Sequence, residues 1–359
     1  MKIGIDAREL CGRPTGVGRY LSALLHEWAG DTSARRHHFV LYAPAATGFE
    51  GMYEVRNVQG RPGTWWEQFR LPDAVHADHP DVFFAPAYTA PAKFRIPLVV
   101  TIHDLSFVAH PEWFRRGERV RLRVLTRRAA QKARAVITVS EFSRGELIER
   151  YHIDAGRIHV IPHGISSSPQ AAEGRHRDPV VLFVGSIFNR RHVPELIWAF
   201  DRLARKHPNA SLEIVGDNRT HPHQAIERVI ESVEADGRVR WHKFVPDAEL
   251  RELYDRARVF AFLSEYEGFG LTPIEALAAG VAPVLLDIPV ARETCGAAAL
   301  YVPVSDFNTS IYAATAVLER ALFDDDVRRQ ILRAAPGVLG RYSWPDAARK
   351  TLAVLEGSA

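Results

Sequence analysis

Cysteine is nearly absent: Cys11 and Cys295 are the two in 359 residues. So few exclude a disulfide framework or a cysteine metal cluster, and the expectation is two reduced thiols in a cytoplasmic protein. No apolar run approaches the ~18 residues of a membrane span. No signal peptide is expected either, because the chain enters a strand directly at Ile3 and Ile5. No His, Cys or carboxylate group has metal-ligand spacing, so neither a metal nor another cofactor is expected. Charge of one sign is also scarce. The net is +3, so no nucleic-acid partner is expected and any anionic ligand must be met by local patches. What remains is 47% hydrophobic and 25% charged, an ordinary globular composition in a chain long enough for two domains.

The first half alternates between apolar runs and helical periodicity. Strands are expected over 2–7, 39–43, 82–85, 98–103, 136–140 and 158–162, and helices over 18–29, 65–75, 116–132 and 141–151. Residues 164–179 (GISSSPQAAEGRHRDP) are polar and aperiodic, and read as a linker. The alternation then restarts, with strands over 180–185, 212–215, 239–245, 259–263 and 282–286. Helices fall between them near 194–206, 224–234, 248–257 and 272–279, and a last one follows Ser343. Apolar strands alternating with helices predict two α/β, doubly wound parallel-sheet domains.

One segment carries the most chemistry. Residues 258–280 read RVFAFLSEYEGFGLTPIEALAAG, a buried strand that breaks at Ser264 into a loop and re-enters a helix near Thr272. Glu267 lies in the loop and Glu275 near the helix start, with Gly268 and Gly270 between them. Backbone amides at a helix N-terminus favour an anion, and glycines let a ligand approach closely. Two carboxylates there would repel a phosphate but grip neutral hydroxyls beside one. Phosphate plus polyol suggests a sugar nucleotide. A plainer reading makes Thr272 and Glu275 a capping box, which leaves Glu267 and the glycines unexplained.

Glu267 and Glu275, with seven residues between them, resemble the paired-glutamate motif of retaining glycosyltransferases of family 4. The resemblance extends over nearly the whole chain, through MKIGIDAREL, TGVGRY, TIHDLSFVAHPEWF, ITVSEFSRGEL, VIPHGI, LFVGSIFNRRHVPELIWAF and YSWPDAARKTL. It implies the GT-B architecture, two Rossmann-like domains facing each other across a cleft. Residues 1–166 would form the acceptor-side domain, 167–342 the nucleotide-sugar domain, and 343–359 a helix that crosses back to the first.

Ligands of open parallel sheets bind beyond the carboxyl ends of the strands, where the candidates fall. Gly16 and Gly18 follow the first strand, and GVGRYL lacks the third glycine of a dinucleotide fingerprint. His103 ends a strand, with Asp104 placed to orient its ring or bind the acceptor. His163 is expected to shape a turn. Arg190 and Arg191 suit a diphosphate, since guanidinium is always charged and binds phosphate oxygens bidentately. The resemblance implies more specific roles. Gly16 would close over the donor phosphates, and His103 would lie by the sugar's primary hydroxyl and anomeric centre. Glu275 would bind ribose, and Glu267 the hydroxyls at C3 and C4. Arg190, Arg191 and the amides of Phe269, Gly270 and Leu271 would stabilise the leaving group in place of Mg²⁺. The family usually has Lys where Arg191 stands.

The expected activity is transfer of a hexose from a nucleotide sugar to an acceptor hydroxyl with retention, in glycan, lipopolysaccharide or exopolysaccharide assembly. GDP-mannose is the favoured donor and a UDP-glucose-type sugar the second. The alternative is a sugar-nucleotide epimerase, which needs no acceptor. A final feature is RRGERVRLRVLTRRAAQKAR, residues 115–134, rich in arginine. At ~100° per residue, Arg116, Arg119, Arg123, Arg127 and Arg134 share an arc of roughly 80°. Leu122, Leu125, Ala129 and Ala133 form the apolar stripe. Trp65, Trp66, Phe107, Trp113 and Phe114 add aromatics suited to an interface. The expectation is an anionic membrane contact on the inner face, presenting a lipid-linked acceptor, against the plainer reading of a solvated helix.

Overall fold

The computed structural model describes residues 1–12, 16–61, 63–165, 177–304 and 307–359, so most of the expected linker lies outside the described residues. The chain forms two units. Residues 1–111, 116–164 and 342–359 make the first, and 112–115 with 165–341 make the second.

Seven strands build the first sheet: β1 (Lys2–Asp6), β2 (His38–Ala43), β3 (Glu54–Asn57), β4 (Val82–Ala85), β5 (Leu98–Thr101), β6 (Ala135–Thr138) and β7 (Ile158–Val160). Their order is β3-β2-β1-β4-β5-β6-β7, and every pairing is parallel. Ile5 of β1 lies opposite Leu41 on one side and Phe84 on the other. β4, β5 and β6 are buried at every residue, as strands covered on both faces must be. The chain reverses its direction of travel across the sheet between β1 and β4.

The second sheet repeats the plan with β8 (Val180–Val184), β9 (Ser211–Val215), β10 (Val239–His242), β11 (Val259–Phe262), β12 (Ala282–Leu286) and β13 (Leu300–Val302). Its order is β10-β9-β8-β11-β12-β13, again all parallel, with the reversal between β8 and β11. The α/β doubly wound expectation therefore holds in both units. Two strands were not legible. β3 is a half-exposed edge strand, EVRN, without an apolar run, and β13 has three residues. The helices Pro289–Cys295, Phe307–Phe323 and Asp325–Leu339 were also missed.

The last helix, Trp344–Glu356, belongs to the first unit. Ser343 caps it by accepting from the Asp346 amide. Trp28 donates its indole N–H to the Ala348 carbonyl at 3.0 Å, and Leu352 and Leu355 bury in the core that holds Ile3, Ile5 and Leu21. Gly164 lets the helix start approach, since a Cβ there would sit 2.2 Å from the Trp344 nitrogen.

The arginine-rich helix, Arg116–Lys132, turns the expected apolar stripe inward and leaves Arg116, Arg123 and Arg127 exposed, while Arg119 and Arg134 depart from the expected face. Thr126, Ala129 and Ala130 are buried, and Leu122 and Leu125 are half-buried. Arg119 is half-buried beside them. Arg134 lies beyond the helix end and donates to the Ser358 and Ala359 carbonyls. The aromatic set divides too. Trp66 and Phe107 are core residues, Phe114 is half-buried, and Trp113 lies in the second unit. Trp65 is exposed at 60%. No helix of the described residues is long and apolar enough to cross a membrane.

Candidate functional site

In the second unit the reversal of strand order opens a crevice beyond the carboxyl ends of β8 and β11. After β8 the chain passes Gly185 and makes a 3-10 turn, Asn189–Arg191. After β11 it runs through Ser264 to Glu267 and into the helix Leu271–Ala278. The two loops are tied by backbone, with the Glu265 amide donating to the Arg190 carbonyl at 2.9 Å.

Charges converge on one carboxylate oxygen. Arg191 Nε donates to Glu267 Oε1 at 2.9 Å, Ser264 Oγ donates to it at 3.0 Å, and Arg190 Nε stands 3.8 Å away. Oε2 takes no hydrogen bond from the described residues. Burial opposes charge on Glu267, but Arg191 and Arg190 outweigh it and hold the carboxyl below its usual range. Burial lowers the Arg191 pKa despite Glu267, and Arg190 adds to that lowering. Arg191 is further fixed by donating to the Ser186 carbonyl at 2.8 Å. Both guanidiniums lie against rings, Arg190 4.5 Å from Phe188 and 6.0 Å from Trp113, and Arg191 4.8 Å from Phe262.

Two cations on one carboxylate leave a positive excess. Arg190 Nε is buried and makes no hydrogen bond. The neighbouring His192, absent from the candidates, adds nothing to the excess, because two carboxylates face its ring. Burial disfavours its charge, yet Glu195 and Glu265, each 3.4 Å away, raise its pKa to about 9. A cation run in a turn after an apolar strand was the signal available for it.

The helix Leu271–Ala278 starts at Gly270, which holds φ 85°, and no side chain caps it. The capping-box reading is thereby corrected. Thr272 stands inside the first turn and Glu275 sits past it, so the pair lacks the spacing from a cap that the box requires. The uncapped first turn carries no acid and presents a positive end. Beside it is a small recess lined by Phe262, Phe269, Leu286 and Val290, with Ser264 and Glu267 at its polar edge. The structure thus brings Arg190, Arg191, Glu267, Phe269, Gly270 and Leu271 together, with Glu275 one turn along.

Gly16 and His103 belong to the first unit. Gly16 opens the helix Gly16–Gly30, two residues before the expected start, with Gly18 inside it. One turn later Tyr20 sets its ring edge-on to His103 at 5.0 Å. His103 is buried, and Nε2 donates to the Pro86 carbonyl at 2.9 Å. That bond aims the ring, whereas Asp104 accepts from Tyr88 and Ser106. Burial lowers the His103 pKa, and stacking on His163 at 5.4 Å joins two neutral imidazoles. His163 therefore packs against the ring of His103 as well as shaping its turn.

Three further buried charges escaped the sequence reading. Arg8 Nη2 donates to Glu67 at 2.6 Å and to Thr89 at 3.2 Å, and Arg8 Nε lies 3.4 Å from Asp6. Burial raises the Asp6 carboxyl to about 6, against the pull of Arg8. Glu67 enters from a π-helical turn, Trp66–Arg70, a distortion frequent at functional sites. Asp6 and Arg8 at the end of an apolar strand, in GIDAR, were a legible signal. Glu67 carried none. Among the described residues, no group of three or more His, Cys, Asp or Glu side chains is placed to hold a metal ion.

The profile described as Glycosyltransferase Family 4 matches residues 14–169, and that of Glycosyl transferases group 1 matches residues 167–336. The O-antigen chain mannosyltransferase B of Escherichia coli is 26% identical, over 76% of this chain and 73% of its own length. The GDP-mannose:cellobiosyl-diphosphopolyprenol alpha-mannosyltransferase of Xanthomonas campestris is also 26% identical, over 77% of this chain and 71% of its own. Among solved structures, Anabaena HepE in complex with UDP and glucose superimposes with a TM-score of 0.73 at 18% identity, covering 99% of each chain. Sucrose-phosphate synthase of Thermosynechococcus elongatus gives 0.76 at 19%, covering 99% of this chain and 98% of that one. At such identities the structural likeness establishes the fold, which is GT-B.

Proposed function

Because this chain belongs to glycosyltransferase family 4, we propose that it moves a hexose from a nucleotide sugar to an acceptor hydroxyl with retention of configuration, without a metal ion. The carrying observation is the cation excess at the crevice: Arg190 with a buried donor unbonded, Arg191 fixed beside it, and an uncapped helix end. A departing nucleoside diphosphate gains negative charge as the glycosidic bond breaks. Fixed cations that meet this charge without reorganising supply much of the rate enhancement. Glu267 orients Arg191 through Oε1 and leaves Oε2 to accept hydrogen bonds from sugar hydroxyls. Glu275 is assigned to ribose, Phe269, Gly270 and Leu271 to the phosphates, and Gly16 to closing over them. His103, neutral and buried, is assigned to the donor sugar's primary hydroxyl.

In this reading the acceptor oxygen attacks the anomeric carbon from the face the diphosphate leaves. The departing phosphate oxygen takes the acceptor's proton. GDP-mannose is the donor we favour, because both relatives described above are named as mannosyltransferases and one name specifies GDP-mannose. A UDP-sugar is second, since HepE is described with UDP and glucose. The acceptor is assigned to glycan assembly, free or lipid-linked.

The test is incubation with GDP-mannose or UDP-glucose without acceptor, followed by NMR. Slow release of the sugar as its α-anomer, before mutarotation, is expected of a retaining transferase acting on water. Isomerised nucleotide sugar would make the protein an epimerase, and β-anomer would make it inverting.

A further inference from the structure

The turn that carries the two arginines ends on a residue to which the reaction gives no part. His192 closes the 3-10 turn Asn189–Arg191 and precedes the helix Val193–Lys206, in the left-handed region at φ 48°. Glycine takes that conformation without cost, whereas a side chain kept there bears strain that the surroundings must hold.

The ring spans two segments. Nδ1 lies 3.4 Å from Glu195 Oε1, in the first turn of the helix, and Nε2 lies 3.4 Å from Glu265 Oε2, in the loop after β11. Arg190 and Arg191 precede the ring on its own turn. Burial opposes its charge, but the two carboxylates raise its pKa to about 9, so it is charged at neutral pH. Glu195 alone would suit a helix N-terminus and needs no histidine. Glu265 is the more informative partner, because its amide already donates to the Arg190 carbonyl at 2.9 Å. One residue is thus tied by its backbone to Arg190 and by its side chain to His192. Glu267 stands two residues further along the same loop.

Loop and turn therefore meet at three contacts, and a ligand affects them differently. The pair of Arg191 and Glu267 lies in the crevice, where a diphosphate competes for the guanidinium. The Glu265 amide bond and the pair of His192 and Glu265 use no side chain assigned to the donor. They persist while the arginines exchange partners. We propose that His192 is a positioning residue: its charged ring, clamped between Glu195 and Glu265, holds the loop of Glu267 against the turn of Arg190 and Arg191 as the diphosphate binds. This rests on the reading of the crevice as a diphosphate site.

The test sets geometry against charge, by titrating the full chain with GDP and GMP and with UDP and UMP. His192→Asn tolerates the left-handed backbone and removes a positive charge. Glu265→Ala removes a negative charge from the same pair and leaves the amide in place. A pair acting only through its field would shift diphosphate affinity in opposite directions in the two variants. A clamp is lost in both, so diphosphate affinity is expected to fall about fivefold in each while monophosphate affinity holds. Hydrogen exchange at the Glu265 amide, followed without ligand, is expected to quicken in both. Opposite shifts, native diphosphate affinity, or unchanged exchange in either variant would overturn the proposal. A native chain that binds mono- and diphosphates equally would overturn the diphosphate reading itself, and the proposal with it.

Discussion

At the scale of single residues, burial decides protonation and sets a pH window. His103 and His163 are both lowered by burial, and charge on His103 further disfavours charge on His163. An unfolded chain protonates such imidazoles near 6.5, while the folded one resists. The stability from keeping them neutral is therefore complete above about 6.5 and is lost as pH falls from there toward the depressed folded values. Asp6 acts in the opposite sense. Its carboxyl, raised to about 6, binds a proton in the fold before it would in the open chain, so it adds stability as pH falls from about 6 toward 3.8. We expect melting temperature to drop on acidification through 6.5, and the drop to be shallower in His163→Leu. An identical slope in that variant would show that the imidazole pair does not control it.

At the scale of elements, the crevice depends on how closely β8 and its turn can fold back. Gly185 holds φ 145°, and a Cβ there would lie 2.6 Å from Arg191 Nη1, an atom already bonded to Ser186. Gly185→Ala is expected to cost about 1–3 kcal/mol in backbone strain. It should also displace Arg191, so nucleoside diphosphate affinity falls together with melting temperature. A variant that melts and binds like wild type would contradict this account of the turn. The elements also show what the sequence could convey. Long apolar strands such as β5 and β11, and the capped helix Glu141–Tyr151, were legible because period, composition and cap agree. Edge strand β3 was not, because half-exposed EVRN carries no periodicity, and the helix after Glu267 began at Gly270 in a left-handed conformation that no spacing rule anticipates. Arg190, Arg191 and Glu267 could be named from the sequence, but their convergence on one oxygen is a tertiary fact. The ion network of Asp6, Arg8 and Glu67 joins residues 59 apart in the chain, beyond any local pattern.

At the scale of the whole molecule, two parallel sheets with the same strand-order reversal carry a crevice rule each, and the second unit fills its crevice with cations. The central claim is that Arg190 and Arg191 recognise the diphosphate of a sugar nucleotide. Removing one such cation should cost about 2–4 kcal/mol of transition-state stabilisation, and part of that shows in the affinity for the leaving group. Calorimetric titration of GDP and GMP, and of UDP and UMP, tests it without an acceptor. For at least one base the diphosphate should bind roughly tenfold or more tightly than the monophosphate, through charge-assisted bonds to the added phosphate. That preference should collapse in Arg190→Ala with Arg191→Ala while the monophosphate affinity changes little. Equal binding of mono- and diphosphates by the native chain, or a preference that survives loss of both arginines, would contradict the account.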